Sequence, residues 1–333
     1  MAGDPPANCQ AKDSYVVQSN GILRARGSRV GLAVLFAILL VVASSTNPST
    51  AGPIVVAHAQ GETVLAARPQ KVFTMDLASL ETLDALGVEI AGVVGTHIPA
   101  HLSKYRDSKY LKIGSLFEPD YETINAAAPD LIIVAGRSSP KYTKLSKIAP
   151  TIDLTTDDSA FLASSFRNAR TLGRIFGKEA EVEARIAEVE AAMRSVRDKA
   201  QAAGRGLIIL TTGGRMSAYG PQSRFGALHS DFGIRPAVES LDRAIHGQGV
   251  SFELILKADP DWLFVVDRDA AIGQSGRPAA QLLDNPLVAR TTAWQNGHVV
   301  YLDPARWYLV GGGLVSLREN ANQIVEALGA APG

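Results

Sequence analysis

Two stretches of the chain carry the same arrangement of charged residues. ETINAAAPDLIIVAGR runs from Glu122 to Arg137 and ELILKADPDWLFVVDR from Glu253 to Arg268, each reading Glu, six residues, Pro-Asp, an apolar run and Arg. Arginine brings a permanent charge, a planar face and a rigid fork of N–H donors, which suits it to planar anions. A proline after a helix accounts for the stop that Pro-Asp marks. It does not account for Glu and Arg recurring at identical offsets.

Each Glu begins a helix and each Arg follows a buried strand. Open α/β sheets bind ligands at the C-terminal ends of their strands. The repeat therefore predicts two similar lobes with Arg137 and Arg268 converging on a cleft between them. Glu122 and Glu253 then stand at an exposed rim, a whole lobe apart, as would suit docking to a symmetric, arginine-bearing partner.

The elements that must position these residues follow from periodicity. IVVAHAQGETVLAA (54–67) alternates apolar and polar residues around Gly61 and predicts a hairpin. KVFTM (71–75) predicts a strand, and DLASLETLDALG (76–87) a helix capped by Asp76 and ended by Gly87. Strands at 88–95, 130–135 and 151–154 alternate with helices near 120–127 and 139–150, which argues for a parallel sheet. Residues 159–203 are helical throughout, with Gly177 separating two helices. GLIILTT (206–212) resumes the alternation, WLFVV and HVVYLD supply later strands, and a terminal helix is predicted over about 313–328. The fold class is thus α/β, with two Rossmann-like lobes joined by a long α-helix and a ligand cleft between the lobes. Its predicted segments are 1–51 (signal and pre-region), 52–158 (first lobe), 159–177 (linking helix) and 178–333 (second lobe).

Arg24, Arg26 and Arg29 precede an apolar run of 14 residues, Val30 to Ala43, and then small and polar residues. That is the order of a secretory signal, and the run is shorter than the roughly 20 residues that span a bilayer. A retained anchor is the other reading. Cys9, the single cysteine, lies before the run, so it is not the lipid-bearing cysteine of a lipoprotein. The exported chain is expected to be soluble, cysteine-free and periplasmic. The 333 residues carry no net charge, and nothing in that balance points to nucleic acid.

Beyond these features the sequence resembles the helical-backbone class of periplasmic substrate-binding proteins of ABC importers, in the ferric-siderophore branch that handles catecholate and petrobactin-type ligands. HAQGETVLAARPQKVFTMDLASLETLDALG, APDLIIVAGR, SAYGPQSRFGALHSDFGI, IHGQGVSFELILKADPDWLFVVDRDAA and YLDPARWYLVGGGLVSL carry the resemblance, through their order and spacing. The resemblance implies that Glu122 and Glu253 dock the transmembrane permease. It implies that Arg137, Arg224 and Arg268 hold an anionic ferric catecholate. It also implies that His246 and Tyr308 complete iron coordination when the ligand supplies only four oxygens, with Trp307 adjoining the site. Membrane contact is then through the permease alone, the chain is a monomer, and the ferric siderophore is cargo rather than a cofactor.

The chemistry of the residues agrees. Arginine pairs with catecholate oxygens and stacks on aromatic rings. Phenolate is an established iron ligand type, and imidazole is compatible with iron. Taken without the resemblance, Arg224 equally fits a surface ion pair, Arg268 a local pair with Asp267, His246 a solvated loop, and Trp307–Tyr308 a packed aromatic pair. His229 is expected to be structural. No phosphate-binding loop, G-x-S-x-G elbow or HExxH spacing is present, so the chain is expected not to be an enzyme. Haem or a corrinoid on the same scaffold, and an envelope adaptor with a vestigial cleft, are the competing readings.

Overall fold

The computed structural model describes residues 52–241 and 247–330. The predicted signal and His246 lie outside the described residues. A hairpin of β1 (Ile54–His58) and β2 (Gly61–Leu65) opens the fold, and its Ala59 N–H donates to Asp153 O at 3.0 Å. The first sheet contains β3 (Val72–Thr74), β4 (Gly92–Val93), β5 (Leu111–Lys112), β6 (Leu131–Val134) and β7 (Thr151–Asp153). They pair in the order β5-β4-β3-β6-β7, all parallel. β3 and β6 are buried along their whole length, as parallel strands covered on both faces must be.

The second sheet is mixed. It contains β8 (Arg205–Thr212), β9 (Arg215–Tyr219), β10 (Arg235–Pro236), β11 (Gln248–Val250), β12 (Trp262–Asp267) and β13 (Val299–Tyr301). Its order is β11-β9-β8-β12-β13, with β10 also beside β8. β8, β12 and β13 are parallel as expected, whereas β9 pairs antiparallel with both β8 and β11. The cause is local. Thr212 pairs with Arg215, and the intervening Gly213 and Gly214 have φ of 53° and 74°. Positive φ at both central residues gives the tight hairpin turn whose twist matches paired strands.

Two helices lie between the sheets in sequence. Phe161–Phe176 ends at Gly177, whose φ of 65° provides the left-handed stop that glycine adopts without strain. Its Leu172, Ile175 and Phe176 pack into the core of the first sheet, while Leu162, Phe166 and Ala169 pack into the core of the second. One helix is therefore shared by both cores. Glu179–Ala200 buries Val182, Ile186, Val189, Met193, Val196 and Ala200 at three- and four-residue steps and lies against the terminal helix Leu314–Ala330. Among the described residues no helix is long and apolar enough to cross a membrane.

Candidate functional site

Each sheet has one point at which successive strands are laid down on opposite sides of a starting strand. In the first sheet it falls between β3 and β6, and in the second between β8 and β12. Such switch points leave a crevice beyond the strand ends. Asp76 follows β3 and Arg137 follows β6. Thr212 ends β8 and Arg268 follows β12. Across the second crevice Arg268 Nη1 donates to Thr212 Oγ1 at 3.2 Å. The repeated arginines thus issue from equivalent places.

Both reach Tyr308, which sits on a π-helical turn, Ala305–Val310. Short π-turns recur at functional sites. Arg137 Nη2 donates to Tyr308 O at 2.6 Å and its Nη1 to Leu309 O at 3.3 Å. Arg224 Nη2 donates to the same Tyr308 O at 2.6 Å, and Arg268 Nε donates to the Tyr308 hydroxyl at 2.9 Å. The guanidinium carbons of Arg224, Arg137 and Arg268 lie 4.3, 5.2 and 5.6 Å from the Tyr308 ring centre, within the range of cation–π attraction. Among the described residues neither Arg137 nor Arg224 makes an ion pair with a carboxylate. Arg268 lies 3.7 Å from Asp269. It makes no pair with Asp267, whose oxygens accept from the N–H groups of Ala270 and Ala279.

Three cations around one ring change the ionisation of Arg137 and of the ring's own phenol. Burial, and then the charge of Arg224, push the Arg137 guanidinium down to about 10. Burial alone pushes the Tyr308 phenol up, but the Arg268 hydrogen bond and the charges of Arg224, Arg268 and Arg137 outweigh it. The phenol is held below its ordinary value. Burial raises Asp76 and Asp158, opposed in part by the charges of Arg137 and Arg224 respectively. The result is a concentration of positive charge neutralised mainly by carbonyl dipoles and a ring face, and an anion would relieve it.

Two cavities meet here. One, of about 700 Å³, is lined by Asp76, Phe117, Arg137, Asp158, Arg224 and Tyr308 among others. The second, of about 400 Å³, shares Arg224 and Tyr308 and adds Thr212, Arg215, Tyr219 and Arg268. Trp307 lines the larger cavity but is only 7% exposed, its ring centre 5.5 Å from that of Phe232. Its indole N–H has no partner among the described residues. Glu81, on the helix Leu77–Ala85, reaches the terminal helix. Its buried carboxylate accepts from Ser316 N at 2.8 Å, Ser316 Oγ at 2.6 Å and His101 Nε2 at 2.8 Å, fixing the start of the terminal helix.

Sequence reading did not find Arg215, Asp76, Asp158, Phe117 or Glu81 as site residues. Gly213-Gly214 next to Arg215 was the legible clue to the hairpin that carries it. Glu122 and Glu253 sit in the first turns of their helices, as expected. His229 is structural, its Nδ1 2.8 Å from Ile234 O. Among the described residues no group of three His, Cys, Asp or Glu side chains is placed to hold a metal ion.

Comparison with known proteins identifies the family. The family model described as periplasmic binding protein matches residues 72–305. The chain is 42% identical over 263 residues to the petrobactin-binding protein YclQ of Bacillus subtilis, covering 78% of this chain and 83% of that protein. Over 290 residues it is 33% identical to the ferric-anguibactin-binding protein FatB of Vibrio anguillarum, covering 82% and 87%. The crystal structure of YclQ superposes with a TM-score of 0.80 at 40% identity, covering 83% of this chain and 98% of that one. The periplasmic catecholate-siderophore binding protein VctP of Vibrio cholerae does so with a TM-score of 0.78 at 35% identity, covering 84% and 100%.

Proposed function

The chain belongs to the periplasmic binding protein family, and from that premise we propose that it captures an anionic ferric siderophore of catecholate type and delivers it to an ABC-importer permease. The observation that carries the reading is the convergence of Arg137, Arg224 and Arg268 on Tyr308, with Arg137 and Arg224 unpaired by acids among the described residues. Guanidinium groups match catecholate oxygens in charge and donor geometry and stack on the attached rings. YclQ, FatB and VctP, by their names, bind petrobactin, ferric anguibactin and a catecholate siderophore.

Iron is cargo in this reading. When the siderophore leaves coordination positions open, Tyr308 completes the shell as phenolate. The Arg268 hydrogen bond and the neighbouring charges favour that ionisation. His246 is the second proposed donor. Glu122 and Glu253 dock the loaded monomer on the permease from two lobes. Export to the periplasm through the N-terminal signal places it there, and no catalytic step is assigned to any residue.

Tryptophan-fluorescence titration with a panel of ferric chelates tests the reading, because Trp307 lines the larger cavity. The panel holds a hexadentate catecholate, a tetradentate bis-catecholate, a mixed catecholate–citrate, a hydroxamate and haem. Tight binding confined to the catecholate members is expected. Binding of haem or hydroxamate alone would overturn the ligand assignment, and no binding at all would favour a protein-contact adaptor.

A further inference from the structure

Phe117 is 56% exposed, the one exposed phenylalanine or tryptophan among the described residues. A single exposed apolar side chain is ordinary on a protein surface. This one differs in its place and in how firmly it is held. It lines the larger cavity with Arg137 and Pro140. Its turn is closed by an antiparallel bridge between Gly114 and Pro119, and Ser115 N donates to Glu118 O at 2.8 Å. Ser115 Oγ accepts from the N–H groups of Phe117 and Glu118 at 3.2 and 3.0 Å. Gly114 has a φ of 114°, and a Cβ there would meet Glu118 O at 2.3 Å, so the turn is built around glycine. The Glu118 carboxylate pairs with Lys141 at 2.5 Å, next to Pro140.

The other aromatic groups of the cavity have less surface to offer. Phe225, Phe232 and Trp307 are buried in the core of the second sheet, Phe161 is half-buried, and the Tyr308 ring lies among three guanidinium groups. A ring held on a braced turn has little freedom left to lose when another ring packs against it. We propose that Phe117 is the aromatic contact by which the first lobe grips a ring of the ligand, while Arg137 on the same lobe supplies charge to that ring's oxygens. The assignment makes Phe117 a specificity residue for aromatic chelates, and it rests on the catecholate reading above.

The test uses the ferric complex of 2,3-dihydroxybenzoate and the native protein beside Phe117→Ala, Phe117→Leu and Phe117→Tyr, with melting temperatures recorded for all four. An aromatic pair contributes enough that Phe117→Ala and Phe117→Leu should each raise Kd about 3- to 10-fold, with Phe117→Tyr within about twofold of native. Melting temperatures should agree, since the ring is exposed. A native Kd in Phe117→Ala or Phe117→Leu overturns the inference and leaves the arginine cleft standing. Failure of the native protein to bind any ferric catechol complex overturns the catecholate reading, and the inference with it.

Discussion

The two Glu-to-Arg segments fold almost alike and end in different chemistry. Each has a seven-residue helix with a side-chain N-cap, Asp120 on Tyr121–Ala127 and Ser251 on Phe252–Ala258. Each helix stops at a non-glycine residue in the left-handed region, Ala128 at φ 46° and Asp259 at φ 38°. Each continues into a buried strand next to the central strand of its sheet. There the likeness ends. β6 has four residues and Gly136, at φ 45°, turns the chain before Arg137, which grips the backbone carbonyls of Tyr308 and Leu309. β12 has six residues and delivers Arg268 directly from its end, where it holds the Tyr308 hydroxyl. Duplicated pattern fixes the place of an arginine; the local path of the strand end decides which atom it meets.

The largest expected effect separates charge from packing. Arg137→Met and Arg268→Met should each weaken binding of a ferric catecholate roughly 10- to 100-fold, as loss of charge-assisted hydrogen bonds does. Only Arg137→Met should raise the melting temperature of the ligand-free protein. The folded pKa of Arg137, about 10, lies below its ordinary value, so the folded state disfavours the charged form at every pH below about 10. Burial of this charge without an acidic partner among the described residues costs desolvation free energy that methionine does not incur. Arg268, with its side chain 34% exposed, should leave melting unchanged. A fall in both variants would break the contrast.

Next, Tyr308→Phe should cost about 10-fold for a tetradentate chelate, on the order of one metal-linked contact, and little for a hexadentate one. The phenol is also open to titration by its phenolate absorbance. Its folded pKa lies below the ordinary 10.0, so ionisation adds stability above the unfolded pKa, and that contribution is lost as pH falls through the folded value. The arginines that lower it also favour ionisation of the phenol on iron. Arg268→Met should shift the phenol's titration upward.

A smaller effect is expected of the rim. Glu122→Ala and Glu253→Ala should leave chelate Kd unchanged and lower permease-dependent uptake by roughly two- to fivefold each, the scale of exposed ion pairs. Unequal losses would show that the lobes dock unequally.

The smallest concerns the helix stops. Ala128→Gly should stabilise by about 0.5–1 kcal/mol, since glycine adopts positive φ at little cost. Asp259→Gly should not, because the Asp259 carboxylate accepts from Thr292 N at 2.7 Å and Thr292 Oγ1 at 3.2 Å. Chemical denaturation of both variants would measure the difference.

What the sequence determined by itself was local or repeated. The Asp76 cap, whose carboxylate accepts from Ser79 N at 2.7 Å, the Gly177 stop and the buried strands β6 and β12 were all legible. Each depends on neighbours a few residues apart or on a period that composition displays. The likeness of the two Glu-to-Arg segments was legible too, because an offset survives in the string. The antiparallel β9 was not, since a two-residue hairpin inside an α/β pattern looks like another loop until Gly213 and Gly214 both take positive φ. The tertiary structure alone decided that Arg137, Arg224 and Arg268 surround Tyr308, that Trp307 turns into the core, and that Glu81 reaches Ser316. These contacts join residues far apart in the chain. They exist because two sheets share one helix and a common core boundary, and no local propensity records how two sheets meet.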